Sequence, residues 1–247
     1  MTILEVCLDD IGGALIAERA GADRIELCAA LDTGGITPSV GTVASVLASL
    51  TTMTVMVLIR QRQGDFVYSS AEVDAMVADI QAMRGLPRAE GVTLGFVVGA
   101  LTPEGAIDEH ATAAMVEACD VHPVTFHKAF DLVADQSKAL ETLVDLGIAR
   151  VLTSGGASTV LEGAAAIEAL VAQAGSRLTI LVGGGVRPHN AREVLACTGV
   201  TELHFRAPHE VASRGLQGGA SALYDSGIRN ETSLELICEL RAVTAFS

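Results

Sequence analysis

Short β-rich apolar runs alternate along the chain with segments of helical composition. The runs at residues 4–8, 24–28, 54–59, 91–98, 124–127, 150–153, 178–182 and 202–205 read as strands. Between and after them, residues 11–20, about 38–49, 71–84, 108–119, 135–146, 159–174 and 190–197 read as helices, and a last helix covers roughly 233–242. Turn chemistry punctuates the series. Thr37 is the expected N-cap of the second helix with Pro38 at its first position, and Gly147 is the expected C-cap of the fifth. The polar stretch at 60–68 is long enough to carry function, and 208–230 reads as looser chain. A strand and a helix repeating with a period of roughly 30 residues is the pattern of a (β/α)₈ TIM barrel, with a doubly wound sheet as the alternative. The expectation is one barrel domain over residues 1–247, with its site at the C-terminal ends of the strands.

The first two strands depart from plain apolar patterning in the same way. Leu4-Glu5-Val6-Cys7-Leu8 and Arg24-Ile25-Glu26-Leu27-Cys28 each end with a glutamate two residues before a cysteine. Residues two apart on a strand share a face, so Glu5 sides with Cys7, and Arg24 and Glu26 side with Cys28. The helical segment between them makes a βαβ unit, which renders the strands parallel and brings the two cysteines together. Acid, base and thiol then share one face of an apolar sheet, where such groups are costly to bury.

Composition narrows the partners. The chain has 247 residues, half of them hydrophobic, and no linker separates two domains. A formal charge of −14, no Trp and only two Tyr remove the basic footprint and stacking residues of a nucleic-acid binder, and anionic membranes are equally unsuited. No apolar run reaches the roughly 18 residues of a membrane span, and the first residues lack the pattern of a signal peptide. The expected location is the cytoplasm, where five cysteines without short paired spacing fit reduced thiols.

Several motifs in one order carry a resemblance. Leu4-Glu5-Val6-Cys7, Gly21-Ala22-Asp23-Arg24-Ile25-Glu26-Leu27-Cys28, Gly34-Gly35-Ile36-Thr37-Pro38-Ser39, Gly64-Asp65-Phe66-Val67-Tyr68 and Leu152-Thr153-Ser154-Gly155-Gly156 resemble the CutC family. The resemblance implies a TIM barrel that assembles into homo-oligomers, a role in copper homeostasis, and copper(I) binding at Cys7 and Cys28. Soft sulfur donors suit copper(I). The chain departs from the family pattern at Gln61 between two arginines, at Lys128 after His127, and at Arg206 two residues beyond His204. Lysine for arginine replaces a planar fork by a point charge.

Two functional classes remain open. One is a copper(I)-binding homeostasis protein, against the alternative that Cys7 and Cys28 are small core residues. The other is a barrel enzyme or sensor for a small anionic metabolite, phosphorylated or carboxylated, at the C-terminal face. Its candidate catalytic groups are Glu5, Glu26 and His127. Its candidate substrate contacts are Arg24, Arg60, Arg62, Lys128, Thr153, Ser154, Gly155, Gly156, Gly184, Gly185 and His204, where basic groups and glycine-rich amides could meet an anion. Arg24, Glu5 and Glu26 read equally as a buried ion-pair network on the barrel floor. Whether the chain catalyses a reaction stays open.

Overall fold

The computed structural model describes residues 2–215 and 226–245. Eight parallel strands close into a barrel in sequence order: β1 (Ile3–Leu8), β2 (Arg24–Leu27), β3 (Thr54–Leu58), β4 (Thr93–Val98), β5 (Val124–Phe126), β6 (Arg150–Thr153), β7 (Thr179–Gly183) and β8 (Glu202–Arg206). Helices α1 (Ile11–Arg19), α2 (Val40–Ser49), α3 (Ser70–Arg84), α4 (Glu109–Cys119), α5 (Gln136–Asp145), α6 (Ala164–Ala174) and α7 (Ala191–Thr198) each connect one strand to the next. Helix α8 (Leu234–Thr244) follows the barrel. This is the TIM-barrel architecture that the alternation of elements implies.

Strand alternation sorts the core into two parts. Leu4, Val6, Ile25, Leu27, Val55 and Val57 belong to the large apolar layer that also takes in the helices. Their neighbours in sequence, Cys7, Cys28, Met56 and Leu58, form a separate small cluster with Val97. Period-two geometry sends alternate side chains to opposite faces, so every apolar residue on the helix side leaves a position for something else inside. On β1 and β2 those inner positions hold Glu5, Cys7, Arg24 and Glu26, all less than a tenth exposed.

The helix starts follow from side-chain caps. Asp10, Ser39, Ser69, Asp108, Asp135 and Ser233 each accept a backbone N–H from the first turn, and Ser69 with Glu72 forms a reciprocal capping box. Three expectations need correction. The cap of α2 is Ser39, not Thr37, because the Thr37 hydroxyl is engaged at the end of β3, accepting from Arg60 N–H at 2.8 Å and donating to Arg60 C=O at 3.1 Å. Helix α6 starts at Ala164 instead of residue 159, after a turn in which Glu162 caps the N–H of Thr159. The stretch read as loose chain contains an antiparallel pair, β9 (Pro208–Ala212) and β10 (Ile228–Thr232), with residues 216–225 outside the described part.

Candidate functional site

The interior of the barrel carries a column of charge that begins on its floor. Arg24 on β2 is bonded to both Glu5 on β1 and Glu202 on β8, and Arg150 on β6 approaches Glu202 at 3.3 Å. Two cations and two anions balance, as buried charges must. Above them His204 on β8 lies level with Glu5, and its Nδ1 meets Glu5 Oε1 at 2.7 Å. Burial pushes the Glu5 carboxyl up, but Arg24 and His204 outweigh it and hold it at about 2.

The next level is chemically the richest. Strand register sets Cys7 opposite Glu26. Ligand atoms of Cys7, Glu26 and His204 all lie within 4.8 Å of one another. Cys28 adds a second sulfur 3.9 Å from that of Cys7. The hydrogen bond with Cys28, aided by His204, lowers the Cys7 thiol against its burial to about 5. Burial and the neighbouring Cys7 push Glu26 well up, and the same hydrogen bond seen from its donor side pushes Cys28 up. Burial disfavours the charged His204, yet Cys7, Glu5 and Glu26 together raise it well above its ordinary value. The cluster therefore favours one thiolate, at Cys7, and one imidazolium, while the Cys28 thiol keeps its proton and Glu26 is drawn toward its neutral form.

The facing wall comes from other strands. Arg60 follows β3, and His127 follows β5 as the cap of a short 3₁₀ turn over Lys128–Leu132. His127 packs its ring at a tilt of 49° to Phe66 and 55° to Phe126, with centroids 4.8 and 5.7 Å away, over Gly99. A Cβ at Gly99 would stand 2.3 Å from the imidazole, so glycine is what lets this ring enter. Cys7, Glu26, Cys28 and His204 on one side, and Arg60, His127 and Lys128 on the other, border a single cavity of about 160 Å³.

The loop after β6 stands differently from its expected role. Asp131 accepts backbone N–H bonds from Ser154 and Gly156, both at 3.0 Å, and hydroxyl bonds from Thr153 and Ser154. Lys128 Nζ binds Asp131 and Ser154 Oγ at 2.6 Å and the Gly183 carbonyl at 3.1 Å. An internal carboxylate thus takes the donors that a phosphate would need. Gly155 is pressed against the backbone of Gly163, where a Cβ would lie 2.5 Å from a carbonyl oxygen. Gly184 lies beside Ser154, and the Gly184 and Gly185 carbonyls accept bonds that shape their own turn, from Val160 N–H at 3.0 Å and the Asn190 amide at 2.8 Å. Arg62 is placed away from the cavity. It pairs with Glu72 at 2.6 Å and Asp65 at 3.1 Å and lies over Tyr68.

Sequence reasoning missed Asp131, Glu202 and Arg150 as parts of this interior. Asp131 carried a usable signal, since it stands three residues after Lys128 in a tight turn and so returns beside it. Glu202 and Arg150 open their strands, where a charge reads as a strand end and not as barrel filling.

A closed (β/α)₈ barrel that holds a buried cluster of cysteine, glutamate and histidine defines the class: a TIM-barrel protein with a polar cluster inside the sheet. Within that class the chain belongs to the CutC family, which it matches over residues 2–208. A human copper homeostasis protein cutC homolog is 46% identical over 205 residues, covering 83% of this chain and 73% of the human protein. A CutC family protein from Caulobacter vibrioides is 40% identical over 247 residues, 98% of this chain and 97% of its own. The crystal structure of a copper homeostasis protein CutC from Streptococcus agalactiae aligns with a TM-score of 0.76 at 34% identity, covering 83% of this chain and 98% of that one.

Proposed function

We propose that this protein binds copper(I) at Cys7 and Cys28, with His204 and Glu26 as the neighbouring nitrogen and oxygen donors, as its part in copper homeostasis. The observation that carries the reading is the pair of buried sulfurs 3.9 Å apart at the barrel mouth. Thiolates are soft donors that select copper(I), and here one comes from β1 and the other from the residue directly after β2, whose N–H is bonded to the Leu8 carbonyl at 2.9 Å, so the pair is preorganised. The remaining donors fit a monovalent soft ion better than a hard one, because a hard cation demands several oxygens and this cluster offers one carboxyl. Glu5 holds Nδ1 of His204 from below and so orients the ring with Nε2 left for the cluster, as an outer hydrogen-bond partner does for a ligating imidazole. All five cysteines stand free, which suits the reducing cytoplasm that copper(I) requires.

The test is a competition titration with a chromogenic copper(I) chelator under reducing conditions. Wild type is expected to take up one ion per chain, and Cys7→Ser with Cys28→Ser to take up none. Because the Cys28 thiol, raised above its ordinary 9, holds its proton before binding, uptake is expected to release protons, read from the buffer dependence of the calorimetric enthalpy. Undiminished stoichiometric binding by the double variant refutes the assignment.

A second reading, a barrel enzyme or sensor for a small anionic metabolite, is supported by a separate observation. Arg60 Nε and His127 Nε2 are buried polar atoms without a partner, and both residues border the same cavity.

A further inference from the structure

Arg60 is a buried cation without a counter-ion. The residue is 7% exposed, and its guanidinium donates only to backbone carbonyls, to Gly34 at 3.1 Å, Gly35 at 3.0 Å and Gly64 at 2.9 Å. Among the described residues no carboxylate pairs with it, and Nε donates to nothing. Carbonyl dipoles orient a guanidinium but leave its charge in place, and a buried charge is costly until an opposite one joins it. Lys128, a second basic side chain of the cavity, differs in this respect because Asp131 pairs with it at 2.6 Å.

His127 supplies a second open donor. Its Nδ1 accepts the N–H of Ala129 at 3.2 Å, which places the ring proton on Nε2, and Nε2 has no partner. Burial, with Arg60 nearby, holds the imidazole down at about 3, so the ring is a neutral donor at pH 7. Phe66 packs against both groups, its ring centre 4.7 Å from the Arg60 guanidinium carbon and 4.8 Å from the His127 ring. Leu31, Leu58 and Leu152 supply the aliphatic part of the lining. A volume of about 160 Å³ is close to the engineered cavity of roughly 150 Å³ that accommodates benzene.

We propose that this cavity binds a short monocarboxylate of about benzene size, its carboxylate paired with Arg60 and bonded by His127 Nε2, and its body against Leu58, Leu152 and Phe66. One fixed charge and one neutral donor match one negative charge with two acceptor oxygens. A phosphate brings up to two charges and more oxygens than Arg60 and His127, the two lining groups with unpartnered donors, can satisfy. The ligand's far end then shares the cavity with Cys7 and Cys28. This inference deepens the anion reading given above and rests on it, and it requires no copper.

The metal-free protein is titrated by calorimetry, with thermal unfolding in parallel, at pH 7 in a low-chloride buffer. The probes are propanoate, pyruvate and benzoate, with propanamide as the uncharged comparator and inorganic phosphate as the polyanion. At least one carboxylate is expected to saturate at one site per chain and raise the unfolding midpoint, with propanamide and phosphate at least tenfold weaker. Arg60→Met is expected to lose at least tenfold in affinity. Because Arg60 also ties three glycine carbonyls, Leu152→Phe, which fills the cavity and leaves both donors in place, is the second arm and is expected to lose as much. Carboxylate binding undiminished in Leu152→Phe overturns the site. Preference for phosphate, abolished by Arg60→Met, overturns the carboxylate class while the anion reading stands. Binding of no anion by the folded wild type overturns both.

Discussion

Ser154 gives its backbone N–H and its hydroxyl to the carboxylate of Asp131, at 3.0 and 2.9 Å. The glycine-rich turn after β6 thereby carries its own anion. Asp131→Ala removes the acceptor from the Ser154 and Gly156 amides and the partner from Lys128. The expected cost is about 1–3 kcal/mol, measured by urea unfolding, because buried donors lose their partner. Acetate or formate at high concentration is expected to restore part of that loss, stabilising the variant more than wild type. Equal responses of the two proteins to acetate would refute this account of the turn.

Glu5 is the carboxylate bonded to both Arg24 and His204. Glu5→Gln keeps the shape and removes the charge, and it is expected to destabilise the fold by about 3–5 kcal/mol. The wild-type carboxyl sits near 2 in the folded chain against an ordinary 4.5. A depressed carboxyl contributes stability above its unfolded value and loses it as pH falls through the folded one. That contribution is roughly 3 kcal/mol, lost between about pH 4.5 and 2. Denaturant midpoints across that range are expected to fall steeply for wild type and less steeply for Glu5→Gln.

Cys7 is expected to react as a thiolate at mildly acid pH. Its alkylation rate with iodoacetamide, followed by peptide mapping, should hold steady near neutrality and drop as pH falls through about 5. Cys28→Ala removes the largest influence lowering that thiol, so the inflection should move up toward 9. An inflection that stays in place in Cys28→Ala would show that the neighbouring sulfur has no such effect.

His127 should make the fold sensitive to pH in a different window. Its folded value of about 3 lies below the ordinary 6.5, since burial and Arg60 keep the ring neutral. Its contribution is complete above pH 6.5 and is lost as pH falls toward 3. Replacing the ring by an apolar side chain, as in His127→Leu, should flatten the stability profile between pH 4 and 6.5 relative to wild type. Parallel profiles would argue that the imidazole already titrates freely.

Some of this interior was legible in the residues alone. The barrel follows from local repetition, because strand and helix periods are properties of neighbouring residues. The inward set Glu5, Cys7, Arg24, Glu26 and Cys28 follows from alternation on two strands, which backbone geometry dictates without knowledge of the rest of the fold. Helix caps were less secure, as Thr37 shows. Its hydroxyl had the chemistry of a cap, and a bond to Arg60, 23 residues away, took it.

What the fold alone decided are the pairings across sequence distance. His204 finds Glu5 across 199 residues because closure of the barrel sets β8 beside β1, and no local pattern encodes that register. Arg60 and Arg62 look equivalent in the chain. Outside a regular strand, two residues of separation impose no common direction, so one entered the cavity and the other turned to Glu72 on α3. Residue types announced that charge and sulfur would be buried, since hydrophobic periodicity left them no other face. Which charge met which partner, and which donor was left with none, depended on the closed sheet bringing eight strand ends into one small volume.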